Sequence, residues 1–109
     1  MSIKKLIIIY ITHKNLKEAK KIWDVLIQEK LIACANYFPI ESSFFWNSNV
    51  ENEDEYVSIL KTRTGNWELV KNKVLEKHPY ETPCIMKIGV WVNESFLDWV
   101  YNETENEKK

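Results

Sequence analysis

The sequence predicts an α+β fold in which the elements follow the order β-α-β-β-α-β, with a short helix at the end. Three observations support this prediction: an apolar run at residues 6–11, two segments whose apolar side chains recur at helical spacing, and two long extended arms that meet at residues 47–49. With right-handed crossovers, this order gives a four-stranded antiparallel sheet with both main helices on one face. The second and fourth strands then lie at opposite edges, which is the ferredoxin-like arrangement.

The first strand and the first helix are indicated by adjacent patterns. Residues 6–11 are continuously apolar, which is typical of a strand buried on both faces. Asn15 stands where a helix N-cap is expected and Glu18 follows at the third helical position, the spacing of a capping box. The helix is expected to run to about Lys30, and His13, in the loop before it, is expected to be solvent-exposed. The apolar stripe of this helix comprises Leu16, Ala19, Trp23, Leu26 and Ile27.

The two extended arms form the longest predicted element, a hairpin. Each arm has about a dozen residues, rich in aromatic and β-branched side chains, which is about twice the length of an ordinary strand. At roughly 3.3 Å per residue an arm is about 40 Å long, whereas a compact domain of this size has a radius of gyration of about 13 Å. The hairpin is therefore expected to project beyond its own core. Pro39 is expected to mark a bend or bulge on an edge strand.

An aromatic patch lies near the tip of this hairpin. Phe44, Phe45 and Trp46 together carry roughly 500 Å² of side-chain surface, worth at most about 12 kcal/mol if it is removed from water. The net stability of a whole domain is only about 5–15 kcal/mol. We therefore expect a second copy of the chain to cover the patch. The alternative is a bent hairpin that folds back on its own helices.

The second half of the chain supplies two more helices and a strand. Thr64 is expected to cap the second helix, and Pro79 ends it because the residue before a proline disfavours helical geometry. The apolar stripe of this helix comprises Trp67, Val70 and Val74, with Leu75 beside it. Residues 84–92 alternate as in a strand, and one side carries Cys84, Met86, Ile88, Val90 and Val92. Asn93 is expected to cap the last helix, and the charged tail at residues 102–109 is expected to fray.

Length and charge limit the possible functions. The 109 residues are expected to form a single domain spanning residues 1–109. The net charge of −1 recruits neither nucleic acid nor a membrane surface, and no segment approaches the about 20 apolar residues that span a bilayer. The apolar run near the N-terminus is too short for a signal peptide. Cys34 and Cys84 form no CxxC unit and suit a reduced, cytoplasmic protein, with an organelle matrix left open.

Four motifs on this skeleton resemble one known family. They are FFW at 44–46, EYVSILKT at 55–62, HPYETP at 78–83 and FLDWV at 96–100. Together they resemble the CutA divalent-cation tolerance family. The resemblance implies a homotrimer packed through the long hairpins, similar in assembly to PII signalling proteins. It also implies a role in metal tolerance, copper in particular, with metal binding and without catalysis.

The resemblance also implies a ligand cleft between subunits. The residues that match it are Trp46, Glu55, Lys61, His78, Tyr80 and Glu81. Two carboxylates, an ammonium, an imidazole and two amphipathic aromatic rings are plausible for binding a ligand. The alternative is that Lys61 and the carboxylates only tie subunits together.

His78 and Cys84 are the candidate metal ligands, for copper or zinc. Neutral imidazole and thiolate are common ligands of both metals. The match is imperfect, because Ile11 and Lys77 stand where family members with a proposed copper site have a cysteine and a second histidine. Cys84 itself replaces a glutamate and could compensate. His78 has an alternative reading as a helix C-terminal residue whose charge suits the helix dipole.

Other functions of this topology fit less well. An RNA-recognition motif needs basic and aromatic residues on the third strand, which is acidic here. An acyl-phosphate hydrolase needs an arginine in the first loop, and Arg63 is the only arginine in the chain. No arrangement typical of nucleophilic or acid–base catalysis stands out, so we expect no enzyme activity. The competing hypothesis is a trimeric sensor or scaffold that binds a small metabolite or a protein partner in its clefts.

Overall fold

The computed structural model describes residues 5–105 and confirms the α+β, ferredoxin-like fold. A four-stranded antiparallel sheet has the order β2-β3-β1-β4, so the second and fourth strands lie at opposite edges. The strands are β1 (Leu6–His13), β2 (Cys34–Trp46), β3 (Asn49–Arg63) and β4 (Ile85–Val90). The helices are α1 (Leu16–Gln28), α2 (Trp67–Lys77) and α3 (Glu94–Glu103). None of the helices in the described part of the chain is long and apolar enough to cross a membrane.

The core lies between one face of the sheet and the helices α1 and α2. It comprises Ile7, Ile9, Ile11, Ile22, Leu26, Leu31, Ile32, Leu60, Val70 and Val74. The Asn15 side chain accepts a 2.9 Å hydrogen bond from the backbone N–H of Glu18, which confirms the predicted N-cap of α1. The helix ends at Gln28, earlier than predicted, and Lys30 turns the chain with a φ of 58°.

The prediction that Thr64 caps α2 is wrong. Residues Thr64–Asn66 form a separate 3-10 turn, and α2 begins at Trp67. The Thr64 hydroxyl instead donates to the backbone carbonyl of Lys5 at 3.1 Å, which ties this turn to the start of β1. The end of α2 at Lys77 agrees with the effect expected of Pro79.

The alternating stripe predicted on the fourth strand faces away from α1 and α2. Ile85 packs against the core, whereas Met86 and Ile88 are 46% and 47% exposed. In register, Ile88 pairs with Ile8, which points to the side opposite the core residues Ile7 and Ile9. The sheet therefore carries an open apolar face, and β4 is shorter than predicted.

The prediction that the chain frays from residue 102 is wrong for residues 102–104, which form the end of the last helix. Helix α3 runs through Glu103, and the Arg63 guanidinium donates hydrogen bonds to the Tyr101 carbonyl and, at 3.0 Å, to the Thr104 hydroxyl. Thr104 is buried because α3 packs against β3. Residues 106–109 of the predicted tail lie outside the described residues.

The long hairpin projects from this core as predicted. The longest dimension of the molecule is 52 Å against 27 and 20 Å for the others. Its pairing runs without interruption from Cys34 opposite Lys61 to Trp46 opposite Asn49, so the bulge predicted at Pro39 is absent. Pro39 does lie on an edge strand. Positive φ values of 52° and 69° at residues 47 and 48 form the two-residue turn that hairpins favour.

Candidate functional site

A cavity of about 670 Å³ lies between the hairpin and the segment that follows α2. The predicted site residues that line it are Trp46, Glu55, Tyr80, Glu81 and Cys84. Residues at alternate positions of a strand share a face, so Glu51 and Glu53 join Glu55 along the same wall. In register, Phe44 stands opposite Glu51 and also lines the cavity. Sequence reasoning did not assign Glu51, Glu53 and Phe44 to the site. The signal that could have found the two glutamates is their spacing of two residues from Glu55.

Glu55 and Tyr80 form the polar centre of this cavity. The Tyr80 hydroxyl donates a 2.5 Å hydrogen bond to Glu55 Oε2. Burial, followed by this hydrogen bond and the negative charges of Glu55 and Glu53, raises the pKa of Tyr80 well above its usual value. The phenol is therefore neutral and acts as the donor. Glu55 as a residue is only 7% exposed.

His78 lies beside this centre and uses both ring nitrogens within the fold. Its Nε2 lies 2.8 Å from the Thr12 carbonyl, and its Nδ1 accepts a 3.1 Å hydrogen bond from the backbone N–H of Tyr80. Because a carbonyl can only accept, Nε2 must carry the proton and the ring is neutral. His78 thereby orients the segment that places Tyr80 against Glu55.

The expectation that His13 is solvent-exposed is wrong. The residue is 1% exposed, and its Nε2 lies 2.7 Å from the Ser58 hydroxyl. β1 extends to His13 because β3 is long enough to pair with it at Tyr56. Burial, and then the proximity of His78, lowers the pKa of His13 to about 4, so its imidazole is neutral at pH 7.

Lys61, like His78, is a predicted cleft residue that does not line the cavity. It lies six positions from Glu55 along β3, roughly 20 Å away at the rise of a strand. Its ammonium donates to the side chain of Asn36, and it pairs with Ile8 and Cys34 in the sheet. Within one chain, Lys61 therefore belongs to the open apolar face of the sheet.

Potential metal-binding side chains are scattered in the described part of a single chain. Among residues 5–105, no group of three or more His, Cys, Asp or Glu side chains is placed to hold a metal ion. Both cysteines are free, as expected from the opposite-edge positions of β2 and β4. Burial, and then the charge of Glu55, raises the pKa of the Cys84 thiol, which disfavours the thiolate that a metal needs.

Comparison with known proteins places the chain in a family. Residues 7–103 match the model of the CutA1 divalent ion tolerance proteins. The divalent-cation tolerance protein CutA of Pyrococcus horikoshii is 40% identical over 101 residues, which cover 92% of this chain and 99% of that protein. The solved structure of CutA1 from Ehrlichia chaffeensis matches with a TM-score of 0.91 at 36% identity, covering 96% of this chain and 100% of that one. That of the periplasmic CutA from Archaeoglobus fulgidus has a TM-score of 0.90 at 40% identity, covering 92% and 99%. The chain therefore belongs to the CutA1 family of divalent ion tolerance proteins.

Proposed function

We propose that this chain acts as a homotrimeric, non-catalytic protein of divalent-cation tolerance, with binding clefts where subunits meet. The observation that carries the proposal is the double role of the projecting hairpin. Phe44 and Trp46 line the acidic cavity, and the same hairpin carries a large exposed apolar surface. A copy of the chain that covers the hairpin would at the same time close the cavity.

The exposed apolar surface favours association. Phe45 and Val50 at the hairpin tip are 78% and 61% exposed, and Trp91, after β4, is fully exposed. The open sheet face adds Met86 and Ile88. Monomers seldom leave such extended apolar surface in water, and both sheet edges offer backbone groups for pairing.

Copper or zinc binding would draw on donors from more than one chain, since residues 5–105 of one chain group no three donors together. The donors that a single copy offers in this cavity are the Cys84 thiol and the carboxylates of Glu51, Glu53, Glu55 and Glu81. His78 could join them only by giving up its hydrogen bond to Thr12 or to Tyr80. We therefore assign the first role in direct metal binding to Cys84, whose raised pKa means that the metal must displace the thiol proton, with further donors supplied by a second copy.

Titration of copper and zinc into the wild-type protein, Cys84→Ser and His78→Ala tests this assignment. We expect Cys84→Ser to lose stoichiometric binding and His78→Ala to retain most of it. A mass measurement on each variant controls for assembly. Equal binding by all three proteins would end the proposal that these residues bind the metal directly.

A second candidate function is a trimeric sensor or scaffold that binds a small metabolite or a protein partner in the clefts. The size of the cavity favours it, because about 670 Å³ falls within the range of small-molecule sites and far exceeds the space that one ion needs. A thermal-shift screen of metals against organic ligands separates the two functions. A ligand present at 100 times its Kd adds about 2.7 kcal/mol of stability.

A further inference from the structure

Glu55 is a buried residue that has no counter-cation among residues 5–105. Its Oε2 accepts from Tyr80, but its Oε1 has no hydrogen-bond or ion-pair partner among the described residues and belongs to the wall of the cavity. Glu55 as a residue is only 7% exposed, and Oε1 keeps contact with solvent, since it is not one of the fully buried polar atoms without a partner. Buried charges in proteins are paired or bind a cation, so the arrangement lacks a positive group.

The negative charge extends from Glu55 along β3. Glu53 and Glu51 lie on the same wall at steps of two residues, which correspond to roughly 6.6 Å along a strand. None of the cavity-lining residues in the described part of the chain is Lys, Arg or His. A cleft lined by one sign of charge concentrates ions of the opposite sign and rejects anions.

Aromatic side chains beside the glutamates suit an extended organic cation. Phe44 pairs with Glu51 across the hairpin and Trp46 pairs with Asn49, so both rings lie on the same face as the glutamates and offer aromatic surfaces to methylene groups and to ammonium groups. The row of glutamates fits a single metal ion poorly, since no three donors among residues 5–105 are grouped to bind one. A chain with three or four methylenes between successive amines places its charges at intervals similar to those of the glutamates.

We propose that this cleft binds a linear polyamine. The Glu55 Oε1 anchors a terminal ammonium, and Glu53 and Glu51 pair with the following amines. Phe44, which pairs with Glu51, and Trp46, two residues nearer the hairpin tip, pack on the methylenes at that end. The proposal rests on the ligand-binding form of the proposed function and names its ligand class. It also assigns Tyr80 a positioning role, because its hydroxyl fixes Glu55 Oε2 and leaves Oε1 directed to the ligand.

Isothermal titration calorimetry of the full-length protein with spermidine tests the proposal. We expect saturable binding that weakens as salt is added, because the attraction is between charges near the surface. Glu55→Gln and Glu53→Gln should each raise the Kd at least tenfold, since each removes a charge-assisted hydrogen bond. Glu53 is exposed, so its variant remains informative if Glu55→Gln folds poorly.

Glu94→Gln is the matched control. Glu94 is exposed in the first turn of α3, is not part of the cavity wall, and its substitution removes the same charge. Its Kd should stay within twofold of that of the wild type, and 1,4-butanediol, an uncharged analogue of a four-carbon diamine, should not bind. Three results would each overturn the proposal. They are the absence of saturable spermidine binding, an equal increase in the Kd for spermidine in all three variants, and binding of citrate that is tighter than binding of spermidine.

Light scattering and metal titration on the same preparation separate this proposal from the proposed function. A trimer that binds copper or zinc but not spermidine would contradict the ligand assignment alone. A monomer that binds spermidine through Glu55 would contradict the assembly and support the ligand assignment.

Discussion

The imidazole rings of His13 and His78 stack with their centroids 5.4 Å apart and their planes inclined by 16°. This contact joins the end of β1 to the segment that carries Tyr80, so the buried His13 lies beside the segment that shapes the candidate cleft. His13 has a second feature: its Nδ1 is buried without a hydrogen-bond partner in the described part of the chain. A proton on His13 would therefore place a positive charge beside a second imidazole, away from water.

Stability should fall as the pH drops from 6.5 to about 4. In the unfolded chain His13 takes up a proton near its ordinary pKa of 6.5, whereas in the folded protein it does so only near 4. The unfolded state thus binds more protons within this window, and the free energy of unfolding decreases by about 3 kcal/mol from this residue. Below about pH 4, His13 no longer contributes to the change in unfolding free energy with pH.

Denaturant unfolding at fixed protein concentration between pH 4 and 7.5 measures this effect. His13→Gln should show a correspondingly shallower dependence than the wild type, since its amide can still bond Ser58 but does not titrate. Lys14→Gln, next to it and exposed, serves as the control and should follow the wild type. Parallel profiles for wild type and His13→Gln would contradict the prediction.

Tyr80→Phe should destabilise the protein by about 1–3 kcal/mol, because Glu55 Oε2 loses its donor while remaining buried. Tyr56→Phe is the matched control, since Tyr56 makes no hydrogen bond through its hydroxyl among residues 5–105. Urea denaturation of the three proteins gives the comparison. An equal loss of unfolding free energy in both variants would show that the hydrogen bond from the Tyr80 hydroxyl does not stabilise the fold.

Arg63→Ala should loosen α3. The guanidinium bonds Tyr101 and Thr104 and lies 4.4 Å from the centroid of the Tyr101 ring, so its loss should cost about 2–3 kcal/mol. Arg63→Lys should recover only part of the lost stability, because an ammonium cannot reproduce the planar, forked arrangement of the guanidinium N–H donors. Hydrogen exchange should accelerate within Glu94–Glu103 and remain unchanged in α1. Unchanged protection of α3 would refute this role.

Glu55→Gln should speed alkylation of Cys84. Burial is the larger cause of the raised pKa of this thiol and the charge of Glu55 the second, so removing the charge increases the thiolate fraction. The rate of iodoacetamide reaction at pH 8, measured in a Cys34→Ser background, reports this change. An identical rate in the Glu55→Gln protein would mean that the carboxylate does not act on the thiol.

The sequence predicted the fold best where local pattern decides the structure. The N-cap at Asn15, the end of α2 before Pro79 and the turn at residues 47 and 48 all depend on neighbouring residues and were placed correctly. The errors concern features that depend on partners distant in sequence. His13 is buried only because β3 is long enough to extend β1, and Thr64 bonds Lys5 instead of capping a helix.

The candidate site was only partly accessible to sequence reasoning. The resemblance supplied Trp46, Glu55, Tyr80 and Glu81, which one cavity brings together. The stacking of His13 on His78 and the engagement of both His78 nitrogens are long-range contacts that no spacing reveals. Lys61 shows that two residues of one strand need not belong to one site. It lies on β3 with Glu55, but roughly 20 Å further along the strand.

The solution mass of the protein tests the central claim, that copies of this chain associate through the hairpin and the open sheet face and close the cleft. Light scattering at micromolar concentration should return three times the chain mass of 13.0 kDa. A stable particle of 13.0 kDa would contradict the claim, since the apolar hairpin would then remain in water and the cleft would have one wall.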